Sequence, residues 1–296
     1  MSMRLLVTGA SGFLGWRSAT LLGESGHEVL CVSRPGGARR SHSAELETHE
    51  VDAGDPAIGR LVAGRDAVLH FAGIPDPARA RANPTDAVRE NTGTTTNLLG
   101  ACAEHGARLI YPSTTRAALD PPPDAYALSK WLGEQACARH PAPATVIRIT
   151  SAYGPGQVAW EGATGAIASF TARALEGTPI VIAGDPERTR DFVYVDDVVA
   201  AIEAILAQGR WNESFTLASG VATPLRAAAE LVRDAAGSEV HIETESGELA
   251  SGENESYAAV PVAPGVGFRS RPLADGISSY VAWILRHPAA QGRSRA

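Results

Sequence analysis

Short apolar runs that break at glycine or small polar residues alternate with longer amphipathic stretches through the first half of the chain. Leu5-Leu6-Val7 runs into Thr8-Gly9-Ala10-Ser11-Gly12-Phe13-Leu14-Gly15. This predicts a strand, a tight loop with three glycines three apart, and a helix from near Phe13 to about Glu24, closed by Gly26. His27 to Val32 reads as a second strand, Glu47 to Val51 as a third, Ala67 to Gly73 as a fourth, Arg108 to Tyr111 as a fifth and Thr145 to Ile149 as a sixth. Asn83-Pro84 opens a long helix to about Glu104, since asparagine caps and proline suits the first turn, and another helix runs from Tyr126 to near Arg139. Strands alternating with helices in this way predict βαβ units and a parallel sheet.

Past Ile149 the rhythm changes. Tyr153 to Gly156 reads as a loop, Thr164 to Leu175 as a helix, Pro179 to Ile182 as a strand and Gly184 to Arg190 as a polar connection. Phe192 to Val195 precedes a helix capped by Asp196. Ser214 to Leu217 is a further strand, Leu225 to Ala236 an amphipathic helix, and Leu273 to Leu285 a closing helix with Trp283 on its apolar side. The expected division is a dinucleotide-binding domain over 1–155, with returning elements at about 188–218, and a substrate lobe from 156–187 and 219–296. Gly247 to Ser256 is polar and unpatterned, which predicts a mobile loop, and Gln291 to Ala296 is expected to be disordered.

Composition narrows the classes. With 296 residues, 44% of them hydrophobic and 20% charged, the chain suits a soluble globular protein. A net charge of −7, with Arg39-Arg40 as the short basic pair, argues against nucleic acid as a partner. The first strand begins almost at once, leaving no room for a secretory leader, and no apolar run reaches the ~18 residues of a membrane span, so a cytoplasmic location is expected. Cys31, Cys102 and Cys137 sit far apart in apolar patterns and read as buried, reduced thiols. The eight histidines lack ligand spacing, so no metal is expected and each reads as an ordinary surface or loop residue.

The glycine loop is where chemistry enters. Gly9 permits a sharp turn off the strand, Gly12 lets backbone approach a diphosphate, and Gly15 lets the helix pack close to the sheet, with its N-terminus toward the anion. At the end of the second strand, where a carboxylate would accept from both ribose hydroxyls of NAD, the chain has Ser33-Arg34, followed by Arg39 and Arg40. An arginine there suits a 2′-phosphate and tilts the cofactor to NADP, with NAD as the alternative; the other reading is a solvated basic loop. Asp52 closes the third strand where an adenine amino group could be met. Pro112-Ser113-Thr114-Thr115 puts a hydroxyl-rich tip at the carboxyl end of the sheet, and Tyr126 and Lys130, four apart, share a helical face.

Gly9, Gly12 and Gly15, Asp52, His70-Phe71-Ala72-Gly73, Asn91, Thr114, Tyr126 with Lys130, Tyr153-Gly154-Pro155-Gly156, and the run from Arg190 to Asp197 occur in an order that resembles the extended short-chain dehydrogenase/reductase superfamily. Within it, the chain is similar to the NAD-dependent epimerase/dehydratase family over nearly its whole length. The resemblance implies an α/β Rossmann fold, a doubly wound parallel sheet with a smaller C-terminal α/β substrate lobe. It also implies Tyr126 as acid/base, Thr114 bonding the carbonyl oxygen, and Lys130 supplying positive charge and gripping the nicotinamide ribose. A phenol with a reference pKa near 10 needs such charge to exchange protons near neutrality. Cofactor contacts are expected from Gly9, Gly12, Phe13, Leu14, Gly15, Ser33, Arg34, Asp52, Ala53, Phe71, Ala72, Gly73, Asn91, Tyr126 and Lys130, and substrate contacts from Ser151 and Arg190, with Arg269 or Arg271 assisting.

The same resemblance implies a homodimer through the long helix, with Val88, Leu98 and Leu99, and the Tyr126 helix, with Leu128, Trp131 and Leu132. Departures matter too. Family dehydratases carry an Asp-Glu pair after the threonine, whereas Thr115-Arg116 follows here, so elimination of water is not expected. Only twelve positions separate Thr114 from Tyr126, Ala118-Leu119 replaces a tyrosine-glycine pair, and Ser151 stands where many nucleotide-sugar members have asparagine. The expected activity is NAD(P)-dependent oxidoreduction at a sugar carbonyl or hydroxyl, as a nucleotide-sugar ketoreductase or epimerase. The alternatives are reduction of an uncharged natural-product ketone in an apolar pocket near Trp160 and Phe170, and a non-catalytic sensor of NADP.

Overall fold

The computed structural model describes residues 2–36, 46–75, 77–246, 256, 261, 263 and 265–292. Arg39 and Arg40, nearly all of the polar stretch from Gly247 to Ser256, and the last four residues lie outside them. In chain order the elements are β1 (Arg4–Thr8), α1 (Phe13–Glu24), β2 (Glu28–Ser33), β3 (Glu47–Glu50), α2 (Gly59–Val62), β4 (Ala67–His70), α3 (Pro77–Ala82), α4 (Pro84–His105), β5 (Arg108–Thr114), α5 (Ala125–Arg139) and β6 (Ala144–Ile149). There follow β7 (Ser151–Tyr153), α6 (Ala166–Glu176), β8 (Ile180–Ala183), β9 (Thr189–Arg190), β10 (Phe192–Tyr194), α7 (Val195–Gln208), β11 (Ser214–Leu217), β12 (Thr223–Pro224), α8 (Leu225–Ala235), β13 (Ile242–Glu245) and α9 (Leu273–Ile284). The chain forms two compact units: Met1–Ile149 with Val199–Leu217 and Val262–Phe268, and Thr150–Val198 with Ala218–Pro261 and Arg269–Ala296.

The first unit is a doubly wound α/β fold. Seven strands lie in the order β11-β6-β5-β4-β1-β2-β3, all parallel. Leu5, Leu6 and Val7 of β1 and Val68 and Leu69 of β4 have no exposed surface. Such strands are apolar throughout because helices cover both faces of a parallel sheet. Leu6, Leu30, Val68, Leu98, Leu99 and Tyr111 belong to one core cluster. Strand order reverses between β1 and β4, and their carboxyl ends leave the crevice in which open α/β folds bind ligands.

The second unit uses small sheets: β7 with β10 and β8 with β13, both parallel, and β9 with β12, antiparallel. Its core is aromatic. Tyr153 meets the rings of Phe192 and Tyr194 edge-on, at centroid distances of 6.2 and 5.5 Å. Phe170 is packed into this core at 4% exposure, and the Trp160 indole packs against it and donates to Glu176 at 2.7 Å.

Several local expectations are corrected. Asn83 stands at the N-cap of α4 without a side-chain capping bond. The helix α7 begins at Val195, so Asp196 lies in its first turn rather than capping it. β5 runs on through Thr114 because Pro112, Ser113 and Thr114 stay in register with Ile147, Arg148 and Ile149 of β6. No described helix is long and apolar enough to cross a membrane.

Candidate active site

Gly9 leaves β1 at φ 66°, a left-handed turn open to glycine without strain, and a Cβ there would lie 2.6 Å from the Phe71 carbonyl carbon beyond β4. Gly15, in the first turn of α1, sits so close to the Gly9 carbonyl that no side chain fits. Gly12 is the N-cap of α1, and no acidic residue stands in that helix's first turn, so its end keeps a positive field.

The loop opens on a cavity of about 650 Å3. Gly9, Ser11 and Gly12 line it from the loop, Ser33 and Arg34 from the end of β2, Asp52 and Ala53 beyond β3, and Phe71, Ala72 and Gly73 beyond β4. Every expected cofactor residue in these four places therefore meets in one space. Phe13, Leu14 and Gly15, in the first turn of α1, lie outside this lining, as do Asn91, Tyr126 and Lys130. The Asp52 carboxylate is oriented by the Gly54 N–H, which donates to Oδ1 at 2.7 Å.

Thr114 ends β5, and its Oγ1 accepts from the Arg116 N–H at 3.3 Å, which leaves the threonine O–H as a donor. Arg116 Nη2 donates to Asp124 Oδ2 at 2.6 Å, and Asp124 Oδ1 accepts from the Ala127 N–H at 2.8 Å, capping α5. The end of β5 and the start of α5 are thus one hydrogen-bonded piece. Tyr126, second in α5, packs against Ile74, Ala80 and Ala87. Burial pushes its phenol up to about 12; Arg116 opposes that rise and Asp124 adds to it. Lys130 Nζ donates to the Pro112 carbonyl at 2.9 Å and lies 4.9 Å from the Tyr111 ring centroid, and burial brings its ammonium down to about 8.

Asn91 acts indirectly. It is 4% exposed; its Oδ1 accepts from the Ile74 N–H at 2.7 Å, and its Nδ2 donates to the Ile74 carbonyl and, at 2.9 Å, to Ser129 Oγ. Ser129 in turn donates to the Tyr126 carbonyl at 2.7 Å, so Asn91 ties the segment after Gly73 to the first turn of α5. His70 departs from the expectation of a surface histidine. It is 1% exposed and lies 3.1 Å from both Thr8 Oγ1 and Thr95 Oγ1. Thr95 spends its proton on the Asn91 carbonyl, which assigns the imidazole N–H to Nε2. Burial, with Lys130 adding, drives His70 down to about 3, so the ring is neutral.

In the second unit Ser151 pairs with Phe192 across β7 and β10, and its N–H donates to the Asp191 carbonyl at 3.0 Å. Arg190, 9% exposed, lies opposite Thr223, with Nη1 donating to the Thr189 carbonyl at 2.8 Å. Arg271 is committed to Asp197 through Nε and Nη2 at 2.9 and 2.7 Å and stacks 4.0 Å over the Tyr194 ring.

A family model described as the NAD dependent epimerase/dehydratase family matches residues 5–218. The chain belongs to that family. Among its relatives, the dTDP-glucose 4,6-dehydratase of Streptomyces griseus is 28% identical, covering 97% of this chain and 95% of that one. UDP-glucuronic acid decarboxylase 1 of Xenopus tropicalis is 27% identical over 69% of this chain and 53% of its own. The structure of a UDP-glucose 4-epimerase from Thermotoga maritima with UDP-glucose matches with a TM-score of 0.86 at 25% identity, covering 95% of this chain and 98% of that one. As an epimerase/dehydratase family member, the chain is an enzyme of oxidoreductase type.

The cavity suits the dinucleotide that this family uses. Backbone without side chains lies at the loop, a helix end faces it, and an oriented carboxylate and an arginine stand at two strand ends. Sequence reasoning missed Arg89, Glu90, Gly93 and Thr94 of α4 in the lining, although their spacing of three and four marks one helical face. It also missed Asp124, whose place just before the helix α5 is an N-cap signal.

Proposed function

We propose that this epimerase/dehydratase family enzyme carries out oxidoreduction at the sugar carbonyl of a nucleoside-diphosphate sugar, as a ketoreductase or epimerase, with NADP(H) preferred. The observation that carries the reading is that Tyr126 packs on Ile74, between Gly73 and Pro75, and both of these line the dinucleotide-sized cavity. A bound nicotinamide supplies or accepts hydride. Thr114 donates its O–H to the reacting oxygen and fixes its position, while Tyr126 exchanges a proton with that oxygen. Lys130 is assigned to the ribose hydroxyls, Arg34 to a 2′-phosphate, and Arg190, with Ser151, to the substrate diphosphate. Arg116 in place of an acid after Thr114 and Thr115 leaves no carboxylate there to drive elimination, which favours reduction or epimerisation over dehydration.

The test combines uridine-, thymidine- and guanosine-diphosphate sugars with NADPH and NADH. At least one sugar should turn over, NADPH should bind more tightly than NADH, and Tyr126→Phe should cut turnover by roughly 10²-fold or more while NADPH still binds. Binding by none of the sugars transfers the assignment to an uncharged ketone. Equal affinity for NADPH and NADH removes the NADP preference, and unchanged turnover in Tyr126→Phe removes the catalytic role.

A further inference from the structure

Beyond β4, the cavity wall at residues 71–73 is fastened at two points by side chains. The Ala72 N–H donates to Thr8 Oγ1 at 3.2 Å, and just past Gly73 the Asn91 amide holds both the Ile74 N–H and its carbonyl, at 2.7 and 3.2 Å. The fit is close, since a Cβ on Gly73, at φ 140°, would come within 2.7 Å of Asn91 Oδ1. His70 stands immediately before this wall and braces both fastenings. Its Nδ1 lies 3.1 Å from Thr8 Oγ1, and its Nε2 lies 3.1 Å from Oγ1 of Thr95, one turn along α4 from Asn91. The Thr95 O–H goes to the Asn91 carbonyl at 2.8 Å, so Thr95 Oγ1 accepts from the Nε2–H, and Nδ1 accepts from the Thr8 O–H. Thr8 Oγ1 then keeps its lone pairs for the Ala72 N–H. A single tautomer of His70 pairs every group in this set. Thr8, His70, Asn91 and Thr95 are all buried, where water cannot replace a lost partner. From Asn91 the set continues to Ser129 Oγ at 2.9 Å, and from there to the Tyr126 carbonyl at 2.7 Å, so the wall and the first turn of α5 share one brace.

We propose that His70 is a positioning residue for dinucleotide binding, whose neutral Nε2–H form holds the wall at residues 71–73 in the shape that a bound cofactor meets. His70 itself stays outside the cavity lining. The proposal rests on the reading of that cavity as the dinucleotide site, and a wall fixed in advance means that binding does not have to order it. The test titrates NADPH and NADH into the full chain by calorimetry, with urea unfolding in parallel. Thr8→Val keeps the side-chain shape and removes the hydroxyl, and His70→Phe removes both ring nitrogens. Each should raise the dissociation constants by about tenfold. The factor should be the same for NADPH and NADH, because Arg34, assigned to the 2′-phosphate, lies two strands away at the end of β2. His70→Asn, whose Oδ1 can accept the Thr8 O–H in place of Nδ1, should recover part of what His70→Phe loses. A merely structural brace would lower the urea midpoint and leave the dissociation constants unmoved. In nitrogen-15 NMR of histidine-labelled protein, the ring signals that vanish in His70→Phe should show a protonated Nε2 and a bare Nδ1. Unchanged dissociation constants in folded His70→Phe or Thr8→Val, or a proton on Nδ1, overturn the proposal. If His70→Phe does not fold, Thr8→Val and the tautomer decide in its place. A parent protein that binds neither cofactor fails one step earlier, and removes the assignment of the cavity along with the proposal.

Discussion

His70 joins three elements through one imidazole: it ends β4, and its two nitrogens meet Thr8 of β1 and Thr95 of α4. Because the folded protein holds it neutral down to about pH 3 while an unfolded chain protonates it near 6.5, folding excludes a proton over that window. Its contribution to stability is complete above pH 6.5 and is lost progressively as the pH falls toward 3. Between pH 7 and pH 5 the protein should lose about 2 kcal/mol through this group, a loss that urea unfolding can measure and that His70→Gln should largely abolish. Legibility at this scale followed chain distance. The places of Gly9, Arg34 and Asp52 beside the cavity could be read because each follows a strand end, and that of Gly12 because it opens the helix after the loop. The roles of His70 and Asn91 could not, since His70 meets Thr8 across 62 positions, and Asn91 meets Ile74 across 17 and Ser129 across 38.

Among the elements, α5 carries the most consequence, and it is fixed at both ends. Asp124 caps its start, and one turn past Lys130 the buried Glu134 accepts from Ser113 Oγ at 2.6 Å and from Arg148 Nε and Nη2 at 2.9 and 2.5 Å. That triad welds α5 to the carboxyl halves of β5 and β6. Glu134→Ala should cost about 3 kcal/mol in urea unfolding, because it strands a partly buried guanidinium. The longer elements were legible from their period: all seven strands of the large sheet and the helices α1, α4, α5, α6, α7, α8 and α9. β7, β9, α2 and α3 were not, since two to six residues hold too little pattern to recognise. The long helix shows the limit of reading faces. Leu98 and Leu99, expected at a subunit contact, are wholly buried in their own core.

For the whole molecule, the face left for a partner lies on α5, where Leu128 and Trp131 are each 38% exposed. A homodimer through α4 and α5 is the proposed assembly, and light scattering at micromolar concentration should give twice the chain's mass. Trp131→Glu should reduce it to a monomer, and a monomeric parent protein would remove the assembly. The first unit is made of three separate stretches of chain, and its sheet is completed by β11, which pairs with β6 only after everything from Thr150 to Glu213 has intervened. During synthesis six strands therefore leave the ribosome while the outer edge of β6 has no partner. Until Leu217 emerges, that edge offers a row of unpaired backbone donors and acceptors to any other nascent strand, which exposes the chain to aggregation in that interval.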